Sequence, residues 1–166
     1  MRYQDARLKI KSGDVIAWTH KPFSSFYDLQ VQAVRFFTRS EYSHVGIAYV
    51  LNGRVFVLEA VSSGVRMMPI SKLQPFFWIP VVSHFDEVTE VAAFEKLGEP
   101  YSKLEAIKAF FTKLEVGSNG TWECAEYAQY VLLKAGIFVN CKSTPSEMVS
   151  WLQETYGSVI IPVNKD

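Results

Sequence analysis

The 166-residue sequence has few cysteines and histidines and carries no formal net charge. Its two cysteines, Cys124 and Cys141, are too few for a disulfide framework, so reduced thiols are expected. Seventeen basic residues balance seventeen acidic residues. This balance gives no electrostatic reason to expect a nucleic-acid or anionic-membrane partner.

Long apolar segments are also missing. Residues 1–7 contain no apolar stretch of the kind found in a signal peptide. No apolar run approaches the ~18 residues needed to cross a bilayer, so stable membrane insertion is not expected. The sequence therefore predicts a cytoplasmic protein, and it leaves later release or association with a virion open. Nothing in the sequence predicts an oligomeric state.

The composition that is present is typical of a globular protein, with 49% hydrophobic and 20% charged residues. A chain of this length can bury roughly two-thirds of its unfolded surface. We find no repeat, low-complexity tract or linker. The sequence predicts a single domain over residues 1–166.

Strand patterns dominate the first half of the chain and helix patterns the second. Apolar strands are predicted over residues 15–18, 64–69, 76–82 and 159–163, in addition to a hairpin over residues 43–59. Helices are predicted over residues 24–38, 86–97, 102–114, 122–135 and 145–156. This pattern indicates an α+β fold, with an antiparallel sheet packed against helices.

The strongest local signal is Asn52-Gly53, which lies between two alternating runs rich in β-branched residues. The pair favours a type I′ turn, in which both central positions need a positive φ. The turn then sets the register of the hairpin, so that Ile47 faces Leu58.

The hairpin register places His44 and Glu59 on one face as a diagonal pair. Their Cβ atoms are expected roughly 7–8 Å apart, within reach of two long side chains. Gly46 and Ala48 lie beside them and are small, which predicts room for the helix that begins near Cys124. A histidine and a carboxylate on one face indicate a catalytic site that requires a nucleophile.

Cys124 is the candidate nucleophile, because it lies in the first turn of the helix predicted after a small polar loop. The helix dipole and the unpaired N–H groups there favour thiolate over thiol and can accept an oxyanion. In this hypothesis His44 is the base and Glu59 orients the imidazole, as in a catalytic triad. Trp122 lies just before the cysteine and is expected either to line a substrate groove or to pack the loop.

Structural roles for the same residues are the alternative. A cysteine in a helix is commonly a small buried hydrophobe, and a strand histidine is commonly a hydrogen-bonded structural residue. A metal site is not predicted, and neither is a cofactor. The histidines and cysteines show no short ligand spacing such as CxxC or HxxxH.

Four segments together resemble a known family. They are Gly13-Asp14-Val15-Ile16, Ser43-His44-Val45-Gly46-Ile47, Leu58-Glu59-Ala60 and Cys124 at its helix start. This combination resembles the circularly permuted branch of the NlpC/P60 papain-like superfamily, which includes the YiiX/YaeF-like amidases and, more remotely, the lecithin:retinol acyltransferase-like enzymes. In that branch the histidine precedes the cysteine, as it does here.

The resemblance implies a permuted papain-like fold with Cys124 as nucleophile, His44 as base and Glu59 as the polar third member. It also implies that Tyr101, in the segment Leu97 to Ser102, is a candidate substrate-binding residue, and the alternative is a core tyrosine that caps a helix. One departure is that the segment Cys124-Ala125-Glu126-Tyr127 keeps the small residue and the acid expected near the cysteine but has no hydroxyl. This departure loosens the assignment to a subfamily.

The expected function is that of a cysteine hydrolase, an amidase or peptidase, which cleaves an amide bond through an acyl-thioester intermediate. The expected substrate is a peptide, a cell-wall-type bond such as that of peptidoglycan peptides, or an acyl compound. One alternative is an acyltransferase or lipid-ester hydrolase that uses the same triad. Another is a catalytically inert papain-like binding module.

Overall fold

The computed structural model describes residues 1–19, 41–81, 85–100, 123–141 and 144–165. The helices predicted over residues 24–38 and 102–114 lie outside these ranges. Two predicted substrate-binding residues, Tyr101 and Trp122, lie outside them as well.

The described strands form one six-stranded sheet in which every pairing is antiparallel. In chain order they are β1 (Val15–Trp18), β2 (His44–Leu51), β3 (Arg54–Val61), β4 (Gly64–Pro69), β5 (Phe76–Ile79) and β6 (Ile161–Val163). Their spatial order is β4-β3-β2-β1-β5-β6. Together with the helices, this sheet confirms the α+β class, and β5 and β6 are shorter than predicted.

The hairpin of β2 and β3 has the predicted turn and register. Asn52 and Gly53 have φ values of 49° and 71°, as a type I′ turn requires. Leu51 pairs with Arg54 across the turn, and the ladder continues to Ile47 opposite Leu58. A two-residue sequence signal therefore determines which side chains share a face over the whole hairpin.

The described helices are α1 (Tyr3–Ala6), α2 (Glu87–Glu95), α3 (Cys124–Lys134) and α4 (Pro145–Tyr156), with a 3₁₀ turn at Ile70–Lys72. None of them combines the length and the apolar character needed to cross a bilayer. The Asp86 carboxylate accepts from the Thr89 N–H at 2.9 Å at the start of α2. Thr144 caps α4 in the same way, and Gly157 closes it with a φ of 64°.

The two faces of the sheet have different coverings. Helix α3 packs on β2 and β3, and its buried residues share a core with Val45, Ile47 and Leu58. On the opposite face, α1 belongs to a second core that includes Ala48 and Val57.

The proposal that α3 docks beside Gly46 and Ala48 is therefore wrong. Gly46 is small for another reason: a Cβ there would lie 2.5 Å from Val57 Cγ2, 2.9 Å from the Leu58 carbonyl oxygen and 3.2 Å from Glu59 Cβ. The expected space is filled by the neighbouring strand β3. The helix takes the other face because that face carries the larger apolar side chains of the hairpin.

Candidate active site

His44 and Glu59 form the diagonal pair that the hairpin register predicts. His44 is the first residue of β2, and its Nε2 lies 2.6 Å from Glu59 Oε2 on β3. The Glu59 side chain is 2% exposed and that of His44 is 24% exposed. The carboxylate is thus buried behind a ring that still reaches solvent.

Arg66 is the second side chain that is hydrogen-bonded to the Glu59 carboxylate. It lies on β4 directly opposite Glu59 in the strand register. Its Nε and Nη2 both donate to Glu59 Oε1, at 2.9 and 2.7 Å. Each carboxylate oxygen therefore has its own partner, Oε1 the guanidinium and Oε2 the imidazole.

The ionisation of Glu59 reflects these two neighbours. Burial by itself would raise the pKa of the carboxyl group. The hydrogen bonds and positive charges of His44 and Arg66 outweigh burial, and they hold the pKa below its ordinary value. The group is a buried carboxylate that stays charged because it is paired.

Cys124 is the second side-chain partner of His44. It is the first residue of α3, it is 9% exposed, and its side chain is hydrogen-bonded to the His44 imidazole. Because Nε2 is engaged with Glu59, Nδ1 is the ring nitrogen left for the thiol. His44 is the first residue of β2 and Cys124 is the first residue of α3. Because both lie at the ends of their elements, their side chains can meet although α3 covers the face of the sheet opposite to Ala48.

The environment of the imidazole favours its protonated form. Burial would lower the pKa of His44, but the hydrogen bonds to Cys124 and Glu59, with the charges on both groups, raise it to about 10. Trp18, paired with His44 in the register of β1 and β2, lies against the ring with centroids 5.3 Å apart. The Trp18 indole N–H donates to the Leu73 carbonyl at 2.7 Å, which holds the indole in place.

The start of α3 supplies backbone donors beside the thiol. Glu123 is the N-cap residue and forms a reciprocal capping box with Glu126. The backbone N–H groups of Cys124 and Ala125 belong to the first helical turn, so they have no acceptor within the helix. Groups in this position can bind a developing oxyanion at the attacked carbon.

Cys141 has a different environment from Cys124. It is half-buried after the end of α3, and Gln129 Nε2 donates to its Sγ at 3.3 Å. Burial and the charge of Glu147 raise its pKa to about 11. A thiol of this kind stays protonated at neutral pH, so Cys141 provides an internal reference for thiol reactivity.

The structure thus brings Cys124, His44 and Glu59 together, while their catalytic roles remain predictions. Arg66 and Trp18 were not among the site residues predicted from the sequence. A signal existed for Arg66, since a two-residue turn at Ser62-Ser63 places it opposite Glu59. That turn lacks an Asn-Gly pair, which is the signal that made the turn between β2 and β3 predictable from the sequence.

Comparison with known proteins supports the fold. No protein-family model and no curated protein sequence matches the chain. Among solved structures, the chain is similar to the crystal structure of metalloprotein yiiX from Escherichia coli O157:H7 (DUF1105), with 21% sequence identity and a TM-score of 0.57. The match covers 94% of this chain and 97% of that one, so the two proteins share a fold over nearly their whole lengths.

Proposed function

We propose that this protein is a cysteine hydrolase, an amidase or peptidase of the circularly permuted NlpC/P60 type. The observation that carries the proposal is the continuous contact from the Cys124 thiol through the His44 ring to the buried Glu59 carboxylate. Two further observations support it. The fold is similar to that of yiiX, and the histidine strand precedes the cysteine helix in the chain.

The first half of the reaction is acylation. Proton transfer from the thiol to His44 gives a thiolate–imidazolium pair, and Sγ then bonds to the carbonyl carbon of the amide. The first-turn N–H groups of α3 bind the oxyanion. The carbon–nitrogen bond breaks, and the imidazolium gives its proton to the leaving amine, so that an acyl thioester remains on Cys124.

The second half is hydrolysis of that thioester. The neutral His44 ring takes a proton from water as the water oxygen bonds to the acyl carbon. The carbon–sulfur bond breaks and the carboxylic acid leaves, after which Cys124 and His44 again share one proton. Glu59 holds the ring in one orientation through both halves and stabilises its charged form.

The related solved structure is described as that of a metalloprotein, so a metal role must be considered. In the described part of the chain, no group of three or more His, Cys, Asp or Glu side chains is arranged to hold a metal ion. The Arg66 guanidinium on Glu59 Oε1 would also repel a cation placed on that carboxylate. The described residues around Glu59 therefore do not form a cation site, and we derive no step through a metal.

Thiol reactivity provides the first test. We expect iodoacetamide to alkylate Cys124 rapidly at pH 6, in a Cys141→Ala background that leaves one thiol. An ordinary thiol is only about 0.3% ionised at that pH, so a thiolate paired with His44 should react roughly 100-fold faster. The variant His44→Ala should lose this advantage.

The control variants distinguish activation of Cys124 by His44 from the reactivity of an ordinary accessible thiol. The variant Cys124→Ala, which retains Cys141, should react slowly because burial keeps that thiol protonated. Equal rates for the protein with and without His44 would overturn the proposed activation.

Trapping the acyl enzyme tests the substrate class. We expect cell-wall-type peptides to leave an acyl adduct on Cys124 that mass spectrometry detects and Cys124→Ala abolishes. Acyl esters serve as the comparison substrates. An adduct from the esters alone would contradict the amidase assignment and favour an acyltransferase or esterase.

A further inference from the structure

We propose that Arg66 is a positioning residue of this site, which keeps Glu59 ionised and turned toward His44 on the acid side of neutrality. The inference rests on the proposed cysteine chemistry and adds a fourth residue to it. Arg66 contacts neither the thiol nor the imidazole in the described hydrogen bonds, and it acts only through the carboxylate.

The geometry explains how Arg66 can control orientation. Neighbouring strands β4, β3 and β2 carry Arg66, Glu59 and His44, so the three side chains form a row across the sheet. Two guanidinium donors hold Oε1, which prevents the carboxylate from rotating Oε2 away from the ring without breaking both bonds. A single point charge such as lysine cannot reproduce this fork.

The charges around the site determine the direction of the effect. Among the described residues, the titratable groups facing Glu59 are His44 from β2 and Arg66 from β4, and Cys124 from α3 contacts the His44 ring. Trp18 from β1 adds no charge. Both cations lower the pKa of Glu59, so replacing Arg66 by a neutral residue must raise it.

The expected shift is about one pH unit, at the lower end of the range for a carboxylate beside an arginine. The lower end applies because the Arg66 side chain is 39% exposed and solvent screens its charge. In the variant, Glu59 then becomes protonated at a higher pH, and His44 loses its carboxylate acceptor at that pH. The pH below which Cys124 loses its reactivity should rise accordingly.

The experiment compares Arg66→Gln and Arg66→Lys with Arg54→Gln, which removes the same charge from the exposed start of β3. Two quantities are followed against pH in proteins shown to be folded by circular dichroism. They are the carboxyl ¹³C shift of Glu59 and the alkylation rate of Cys124. We expect both acid midpoints to move upward by about one unit in Arg66→Gln and to stay unchanged in Arg54→Gln.

The Lys variant separates charge from geometry. In Arg66→Lys the acid midpoint of Glu59 should stay close to that of the unsubstituted protein, because the positive charge is retained. The alkylation of Cys124 at neutral pH should nevertheless be slower, because the two guanidinium donors are lost. A Glu59 midpoint in Arg66→Gln equal to that of the unsubstituted protein would overturn the inference. So would a shifted Glu59 midpoint with an unshifted alkylation profile.

Failure of the proposed function has a distinct signature. If the unsubstituted protein and His44→Ala alkylate at equal rates, the cysteine chemistry fails, and the positioning role of Arg66 fails with it. If His44 accelerates alkylation but the Arg66 variants have the same midpoints and rates as the unsubstituted protein, the cysteine chemistry stands and only the role of Arg66 is wrong.

Discussion

Replacing Gly46 by alanine should damage both the stability of the protein and its candidate active site. The added Cβ would lie 2.5 Å from Val57 Cγ2 and 2.9 Å from the backbone oxygen of Leu58. Val57 is β-branched and stiff, and Leu58 is part of the strand ladder, so neither can move without disturbing β3. The same Cβ would lie 3.2 Å from Glu59 Cβ.

The magnitude follows from two opposing terms. Overpacking at a site without free volume costs roughly 1–3 kcal/mol. Replacing glycine by alanine restricts the unfolded chain and returns about 0.4–1 kcal/mol, since Gly46 is not among the described glycines with positive φ. We expect a net loss of about 1–2 kcal/mol in the free energy of unfolding, or roughly 2–8 °C in Tm.

The site should suffer through displacement of Glu59. Its Oε2 contacts the imidazole at 2.6 Å, and a shift of β3 lengthens that hydrogen bond. Misplacement by about 1 Å costs up to 100-fold in well-ordered sites, so we expect a loss on the order of 10-fold in Cys124 alkylation at pH 6.

The assay pairs urea unfolding with alkylation, and Gly53→Ala is the matched control. Gly53 has a φ of 71° and open space around its Cβ position, so alanine there strains the turn without touching Glu59. The control should lose about 1–2 kcal/mol of stability and keep its alkylation rate. If Gly46→Ala matches the unsubstituted protein in both measurements, our account of the close approach between β2 and β3 is refuted.

Three further outcomes are expected. The variant Asp14→Ala should lose about 3–5 kcal/mol in the free energy of unfolding measured in urea. The N–H groups of Lys11, Trp78 and Val81 then lose their acceptor, and each unsatisfied donor costs about 1–3 kcal/mol. A loss below about 1 kcal/mol would contradict this expectation. The variant Thr144→Ala should cost about 1 kcal/mol through loss of the α4 cap, and Thr144→Ser should restore it, so equal losses in the two variants would argue against the cap. Because the folded-state pKa of His44, about 10, lies above its ordinary value of 6.5, its stabilising contribution should be complete below pH 6.5 and lost as the pH rises toward 10. The stability difference between the unsubstituted protein and His44→Gln, measured across that window, checks this; a difference that grows with pH would refute it.

Local signals account for the parts of the fold that the sequence predicted well. Asn52-Gly53 and the Thr144 cap act through hydrogen bonds and backbone angles within a few residues, so a short stretch contains all the information needed. The diagonal placement of His44 and Glu59 is also a local property, because it follows from the position of the turn and the alternation of side chains along the two strands.

Contacts between distant elements could not be obtained in this way. The choice of sheet face for α3 depends on which apolar side chains the whole sheet leaves uncovered, and small residues beside His44 suggested the wrong face. Trp18 illustrates the same limit: its strand was predicted, but its contact with the imidazole depends on the pairing of β1 with β2.

The sequence by itself determined that His44 and Glu59 share a face and that Cys124 lies in the first turn of a helix, because turn and helix-start preferences are local. Only the tertiary structure brought the thiol to the imidazole, placed Arg66 on the second carboxylate oxygen and filled the space beside Gly46 with β3. The physical reason is that these contacts form as separate elements bury their apolar faces together. That collective packing has no counterpart in any single stretch of the chain.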